Sequence, residues 1–236
     1  MSGNTRLSWL RIGVEGVAIV VSILLAFFIE AGWSEKQARG EEQGALNGLR
    51  SDFLESRSLL ASAIATLEGS QVRFARFQSS TPEELASIAS DSAGRMVNAF
   101  VSGLTYDPVL TTLESAASDG RLGLIRDPDL RQWLATWVRA LEDLEENELD
   151  IRSQALRVVR SSERLGGPFH NAALGEGRGG VLPRADGSTI AALRSDSAFV
   201  AHVRSHHYTI AFYLRELRPL AQVIDSTLVL IDANIR

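Results

Sequence analysis

The chain has 236 residues, 45% of them hydrophobic, with 24 basic and 29 acidic side chains, a net charge of −5 and a pI near 5.5. That balance gives no support for nucleic-acid binding, which leaves a basic patch or a high pI. Cysteine is absent, so disulfides and thiolate chemistry are excluded, although this does not fix the compartment. Lysine occurs once, at Lys36, which rules out a catalytic lysine deep in the later chain.

Residues 1–11 read as a short tail. Ile12–Ile29 follows as IGVEGVAIVVSILLAFFI, eighteen residues with a single charge. A hydrocarbon core about 30 Å thick needs roughly 20 mostly apolar residues in a helix, and extension through Ala31–Trp33 meets that length. Trp9 and Trp33 stand 24 residues apart, about 36 Å at the helical rise, which suits aromatic rings at the two interfaces. Residues 12–33 are therefore expected to be a transmembrane helix in contact with lipid. The rival reading is a cleaved signal peptide, with a shorter apolar region ending in a small-x-small site. Here Phe27, Phe28 and Glu30 follow the apolar core, and helix-favouring residues run on past Trp33.

Glu15 sits about one turn inside the span. Its carboxylate is placed to snorkel toward headgroups and to face the favourable end of the helix dipole. The alternative is a contact with a second span. Glu15, Ala18, Ser22 and Ala26 share one face, and small residues at four-residue spacing let helices approach closely. Arg6 and Arg11 precede the span and Lys36 and Arg39 follow it, so the positive-inside count is a tie. A short tail before a long domain fits a signal anchor of a bacterial inner membrane, with the bulk of the chain outside the cytoplasm.

Residues 34–236 are expected to form one helical bundle domain. Ser34–Glu68 lacks proline, and Leu46, Phe53, Leu60 and Leu67 are spaced by seven, with Leu49 and Ile64 near intervening positions. This is a heptad-like, coiled-coil seam, and it predicts that the span continues as a stalk and then enters the bundle. Gly40, Gly44 and Gly48 repeat every four residues within it. Each costs about 1 kcal/mol relative to alanine, which reads as a soft stalk or as a smooth face for a second helix.

The same region carries a resemblance. An acid early in a span precedes Ala26-Phe27, Trp33, Glu35, Glu42, Leu46, Leu49, Asp52 and Phe53. Thr105-Tyr106 later precedes Leu113, Gly120, Leu122, Ile125, Leu130 and Leu134. Over roughly residues 8–60 and 104–145 this resembles an uncharacterised family of bacterial single-pass membrane proteins, classed only as a domain of unknown function. The resemblance implies a bacterial membrane and a helical body, and it implies no activity.

Thr81-Pro82-Glu83-Glu84 is a helix start, with a capping threonine, proline in the first turn and acids at the favourable end. It predicts a helix to about Ser102, with an interruption near Asp91. Asp107-Pro108 predicts another, ending near Gly120. Asp127-Pro128 opens a long helix to about Arg164 with an apolar stripe of Leu130, Leu134, Trp137, Leu141 and Leu144. The acids of Glu142–Asp150 lie on that helix and not in a turned, glycine-containing calcium loop, so they read as a solvated face. Residues 166–187 hold seven glycines with Pro168 and Pro183 and read as a long loop. Its Gly175-Glu-Gly177-Arg-Gly-Gly180 matches GxGxxG formally but has no strand before it, as a dinucleotide site requires.

Ser195-Asp196-Ser197 is expected to cap the last helix, with Phe199, Val203, His207, Ile210, Leu214, Leu217, Ile224, Leu228 and Ile231 along one side. Pro219 is expected to kink or end its first half. His202 and His206 stand at i and i+4, a spacing that lets two imidazoles share a zinc ion. Val203 occupies the place of the glutamate of HExxH, and the only distant candidates for a third ligand are His170 or an acid. The preferred reading is a surface pair beside a partly buried His207. No Gly-x-Ser-x-Gly elbow or P-loop occurs.

The sequence thus predicts a mostly all-α protein, its N-terminal transmembrane helix continuing into a long helix that packs with an antiparallel helical bundle. It predicts no catalytic site and no cofactor. The expected role is a membrane-anchored interaction or accessory protein whose partner is another copy or another membrane protein. The alternative is an extracytoplasmic ligand-sensing bundle; its tail of about ten residues leaves no room for an output domain, so it would act through a membrane partner. A metal-dependent enzyme using His202 and His206 is the third possibility.

Overall fold

The computed structural model describes residues 5–163 and 185–235, and within these every regular element is helical. Helix α1 runs unbroken over Thr5–Ser79, 75 residues, about 110 Å at 1.5 Å per residue. Its N-terminal part is the one stretch among the described residues long and apolar enough to cross a membrane, and none of that stretch is buried in the fold. Past the span, the seam residues Leu46, Phe53, Leu60 and Leu67 are all buried, and the same spacing of seven continues to Phe74. The complementary positions Leu49, Ser56, Ala63, Ser70 and Phe77 are buried as well. Ile64 is only partly buried. The small residues in this second row let other elements come close to the α1 backbone.

The expected free stalk is short. Glu35, two residues beyond Trp33, already pairs with Arg126 at 2.8 Å. Glu42 accepts the Arg126 backbone N–H at 2.9 Å. Gly40 and Gly44 face open space, whereas Gly48 lies against Thr112, where an added Cβ would come within 2.8 Å of the side chain.

The chain then makes four layers running alternately away from and back toward the span. After α1, helix α2 (Pro82–Ala86) opens with the expected capping box: Thr81 Oγ1 accepts from Glu84 N–H, and Glu84 accepts from Thr81 N–H. The helix expected over 82–102 is split earlier than Asp91. Ser87 Oγ bonds back to the Glu84 carbonyl at 2.7 Å and Ala89 is extended, so α3 covers Ser90–Val101. Asp107-Pro108 does not start a helix. Residues 102–110 run without helix, and α4 covers only Thr111–Ser118. The reason is that side chains from α1 satisfy this backbone. Ser56 Oγ accepts from Val109 N–H at 2.9 Å, and Asp52 accepts from Thr112 N–H at 2.7 Å. Gly120, at φ 70°, ends the layer in the left-handed region that favours glycine. A one-turn 3-10 helix, Arg121–Leu124, leads into the next layer.

Helix α5 (Pro128–Glu163) starts where expected, with Asp127 accepting from Asp129 and Leu130 N–H groups. Helix α6 (Gly187–Ser195), capped by Asp186, was not anticipated. Its first residue crosses the end of α2 so closely that a Cβ on Gly187 would lie 2.3 Å from the Ala86 carbonyl oxygen. Helix α7 (Ser197–Asn234) is capped by Asp196 as predicted. Pro219 does not divide it. The proline is exposed, so the carbonyl it leaves without an amide partner meets water, while Leu217 and Leu220 hold both sides in the core. The register of α7 against α1 is antiparallel, marked by pairs Arg50–Asp232, Arg57–Asp225 and Arg218–Glu68. These pairs are exposed and each contributes little to stability. The stability comes from the core, in which α5–α7 and α1–α7 make the most extensive packing. At the far end Phe74, Phe77, Phe100 and Phe199 form one aromatic cluster with centroids 4.7–6.1 Å apart.

Candidate functional site

The second layer departs from helix between Ser102 and Leu110, and a groove forms there against α5. Tyr106, at the centre of this segment, is buried. Its backbone N–H donates to the Tyr213 hydroxyl at 2.9 Å, and its own hydroxyl donates to the Ser56 carbonyl at 3.0 Å. The Tyr213 hydroxyl donates in turn to Glu148 Oε1 at 2.7 Å. A chain of three hydrogen bonds therefore leads from a carboxylate on α5, through α7 and the extended segment, to the backbone of α1. The small Ser56 is what lets the segment lie this close to α1.

The Glu148 side chain is 17% exposed. Burial pushes its carboxyl above the usual range, against the opposing effects of the Tyr213 hydroxyl and the Arg152 guanidinium. Burial also pushes both phenols up, so both are neutral donors at physiological pH. Arg152 Nη2 lies 3.7 Å from Glu148 Oε2 and 3.2 Å from Thr105 Oγ1.

The groove encloses about 440 Å³, within the range of about 300–1,000 Å³ typical of small-molecule sites. Pro108, Leu110, Val138, Leu141 and Leu149 supply apolar wall, and Asp107, Glu142, Glu145 and Glu148 supply four carboxylates against the one guanidinium of Arg152. Among the described residues its lining offers carboxylate acceptors and apolar surface. A second cleft of about 630 Å³ lies between α5 and α7 nearer the span, lined in part by Trp133, Asp129, Asp225 and Val229. Asp225 there is held by Arg57 at 3.0 Å.

The histidines are arranged differently from the expectation. His206 is fully buried, not on the surface, while His202 and His207 are half-buried. His206 Nε2 lies 3.0 Å from the Ser102 carbonyl at the end of α3, and its ring stands edge-on to Phe74. Its Nδ1 has no hydrogen-bond partner among the described residues. Burial pushes its pKa down to about 4, with the Ser102 carbonyl opposing. The i, i+4 spacing thus places one ring inside the bundle and one at its edge. No group of three metal-ligating side chains occurs among the described residues. His170 and the GxGxxG stretch lie outside the described residues.

In the apolar stretch of α1, Glu15, Ser22, Ala26 and Trp33 are exposed. The side chains of Trp9 and Ala18 lie outside the described residues. The acid-rich stretch Glu142–Asp150 is solvent-facing as expected at Glu142, Asp143, Glu145, Glu146 and Asp150, and Glu148 is the exception. Sequence reasoning singled out Thr105-Tyr106 only for the resemblance and passed over Tyr213, Ser56 and Glu148. The legible signal was a tyrosine three residues after the predicted stripe position Ile210, which places a polar tip at the edge of the buried face.

Compared with known proteins, the chain matches no family model, no curated protein and no solved structure.

Proposed function

We propose that this chain is a membrane-anchored helical interaction protein without catalytic activity of its own. One span fixes a four-layer bundle beside the bilayer, where it contacts a second membrane protein or another copy. The observation that carries this reading is the continuity of α1 from the apolar stretch to Ser79. A contact made in the bilayer and a contact made on the bundle then act on one rigid element. None of the apolar stretch is buried in the fold, and the small residues Ser22 and Ala26 are exposed on its surface, which suits close helix approach. The proposal includes a bacterial inner membrane, with the N-terminal residues before the apolar stretch in the cytoplasm and the bundle outside.

The test is native cross-linking in membranes, then purification on a C-terminal tag and mass spectrometry. A stoichiometric second membrane protein, or self-cross-links through Ser22→Cys in the otherwise cysteine-free chain, is the expected result. A chain that is monomeric and alone refutes the reading. Labelling of Ser58→Cys by an impermeant maleimide on intact cells checks the orientation, because Ser58 is exposed on the bundle.

A second reading is favoured by one observation. The groove at the break in the second layer is tied by three hydrogen bonds to α1, which supports reading the bundle as an extracytoplasmic ligand sensor that acts through a membrane partner.

A further inference from the structure

We propose that the outer face of α1 from Gly40 to Leu54 pairs, in parallel and in register, with the same face of a second copy of this chain. The proposal rests on the interaction reading and names its partner. It is carried by a second heptad spacing on α1, distinct from the buried seam, together with the charges that flank it. Gly40, Gly44, Asn47, Ser51 and Leu54 recur at steps of four and three, so they share one face of the helix. All five are exposed, on the side of α1 away from Leu46, Leu49 and Phe53 in the core, and none is charged. A Cβ on Gly40 or Gly44 would meet nothing within 4 Å. The fold therefore gains nothing from two glycines that weaken the helix. Gly48, off this face, is accounted for within the fold by Thr112.

The flanking charges decide what covers the face. Lys36 and Arg50 lie along one edge, and Glu41 and Glu55 lie along the other. All four are exposed. In a parallel pair of helices, a residue on the first edge meets the residue five positions later on the second edge of its partner. Lys36 then faces Glu41 and Arg50 faces Glu55, and the two-fold axis makes each pair twice. The contact between them, Gln43 with Gly48, is neutral. An antiparallel pair sets base against base and acid against acid, so the pattern selects a parallel copy. That is the orientation two identical single-span anchors in one membrane impose. Lys36 and Glu55 have no ion pair or hydrogen bond among the described residues. Arg50 also holds Asp232, and Glu41 accepts from Gln37; a guanidinium and a carboxylate each have further capacity. The face is narrow, and a shared bilayer supplies the effective concentration at which it holds two chains together.

The experiment uses the full chain in native membranes, oxidised with copper phenanthroline. Asn47→Cys, on the face, is compared with Ser153→Cys, exposed on α5, each in the otherwise cysteine-free chain. A disulfide-linked dimer of Asn47→Cys only is expected. Lys36→Glu should lower its yield at least threefold, by setting a carboxylate against Glu41, and adding Glu41→Lys should restore it. Gly44→Glu should abolish the dimer without lowering the thermal midpoint, because the fold leaves that position open. No Asn47→Cys dimer, an equal dimer from Ser153→Cys, or a yield that Lys36→Glu leaves unmoved overturns the proposal. A second membrane protein cross-linked to the chain, with no Asn47→Cys dimer, ends this proposal and keeps the interaction reading. A chain that is monomeric and alone ends both.

Discussion

Tyr213→Phe removes one oxygen atom that serves two partners. It leaves the Tyr106 N–H without its acceptor in a buried site, at a cost of about 1–2 kcal/mol. It also removes the donor to Glu148 Oε1. A bond to a charged group contributes about 1.5–3 kcal/mol when fully formed, and Arg152 nearby offsets part of the loss, leaving about 1–2 kcal/mol. The deficit at pH 7 is therefore about 2–4 kcal/mol. Its two parts differ in pH dependence. Glu148 has a folded pKa raised above its ordinary value, so the folded state binds its proton more readily than the unfolded state. Between the unfolded and folded pKa values the wild-type protein therefore gains stability as pH falls. The lost hydroxyl had been lowering that pKa, so in the variant the raised value moves higher and the window widens upward. Near pH 4 Glu148 is protonated in the folded variant and no longer needs the donor, and the deficit shrinks to the N–H share of about 1–2 kcal/mol. Urea unfolding of the full chain in neutral detergent at pH 7 and pH 4 measures both. A deficit below 0.5 kcal/mol, roughly half the N–H share, or an equal deficit at both pH values refutes the network as described.

Gly187→Ala places a Cβ 2.3 Å from the Ala86 carbonyl oxygen and 2.6 Å from that of Leu85. Separating α2 from α6 should cost about 1–3 kcal/mol, seen as a lowered thermal midpoint, and an unchanged midpoint contradicts the close crossing. His206 has a folded pKa pushed down to about 4, below its unfolded value of about 6.5. The stability it contributes is present above about pH 6.5 and is lost as pH falls toward 4. His206→Gln, which can keep the bond to the Ser102 carbonyl, should flatten the stability profile across that window, whereas an identical slope in variant and wild type removes the buried histidine as its source. Leu67→Ala, at a fully buried seam position, should cost about 2–5 kcal/mol by denaturant unfolding, and a loss under 1 kcal/mol contradicts its place in the core.

The long helices were legible because their signals are local. Spacing by seven from Leu46 to Leu67, the caps at Thr81, Asp127 and Asp196, and the glycine at position 120 all act within a few residues of where they are read. The break at 102–110 was not legible, because its backbone is satisfied by Ser56 and Tyr213, residues about 50 to 107 positions away, and Asp52 holds the start of α4 just beyond it. Asp107-Pro108 has the local chemistry of a helix start, and distant partners override it. The histidines were misread for a geometric reason. The stripe through Phe199, Val203, His207 and Ile210 describes a helix with one neighbour, but α7 packs on both α1 and α5. A second contact widens the buried arc by about one residue position, which brings in His206, Tyr213, Leu220 and Thr227. The candidate groove inherits the same difficulty, since one wall of it, Tyr106, Asp107, Pro108 and Leu110, comes from the segment whose path the sequence hides.

The unbroken α1 has a mechanical consequence. From Trp33 to Ser79 it extends 46 residues, a lever arm of about 70 Å. A transmembrane helix accommodates a change in bilayer thickness by tilting. With the apolar stretch seated in a bilayer as proposed, a tilt of about 10°, well inside the ordinary range, would swing the aromatic end of the bundle sideways by about 12 Å. Under the proposed membrane anchoring, small changes in lipid thickness would thereby be converted into displacements as wide as a helix, far from the bilayer.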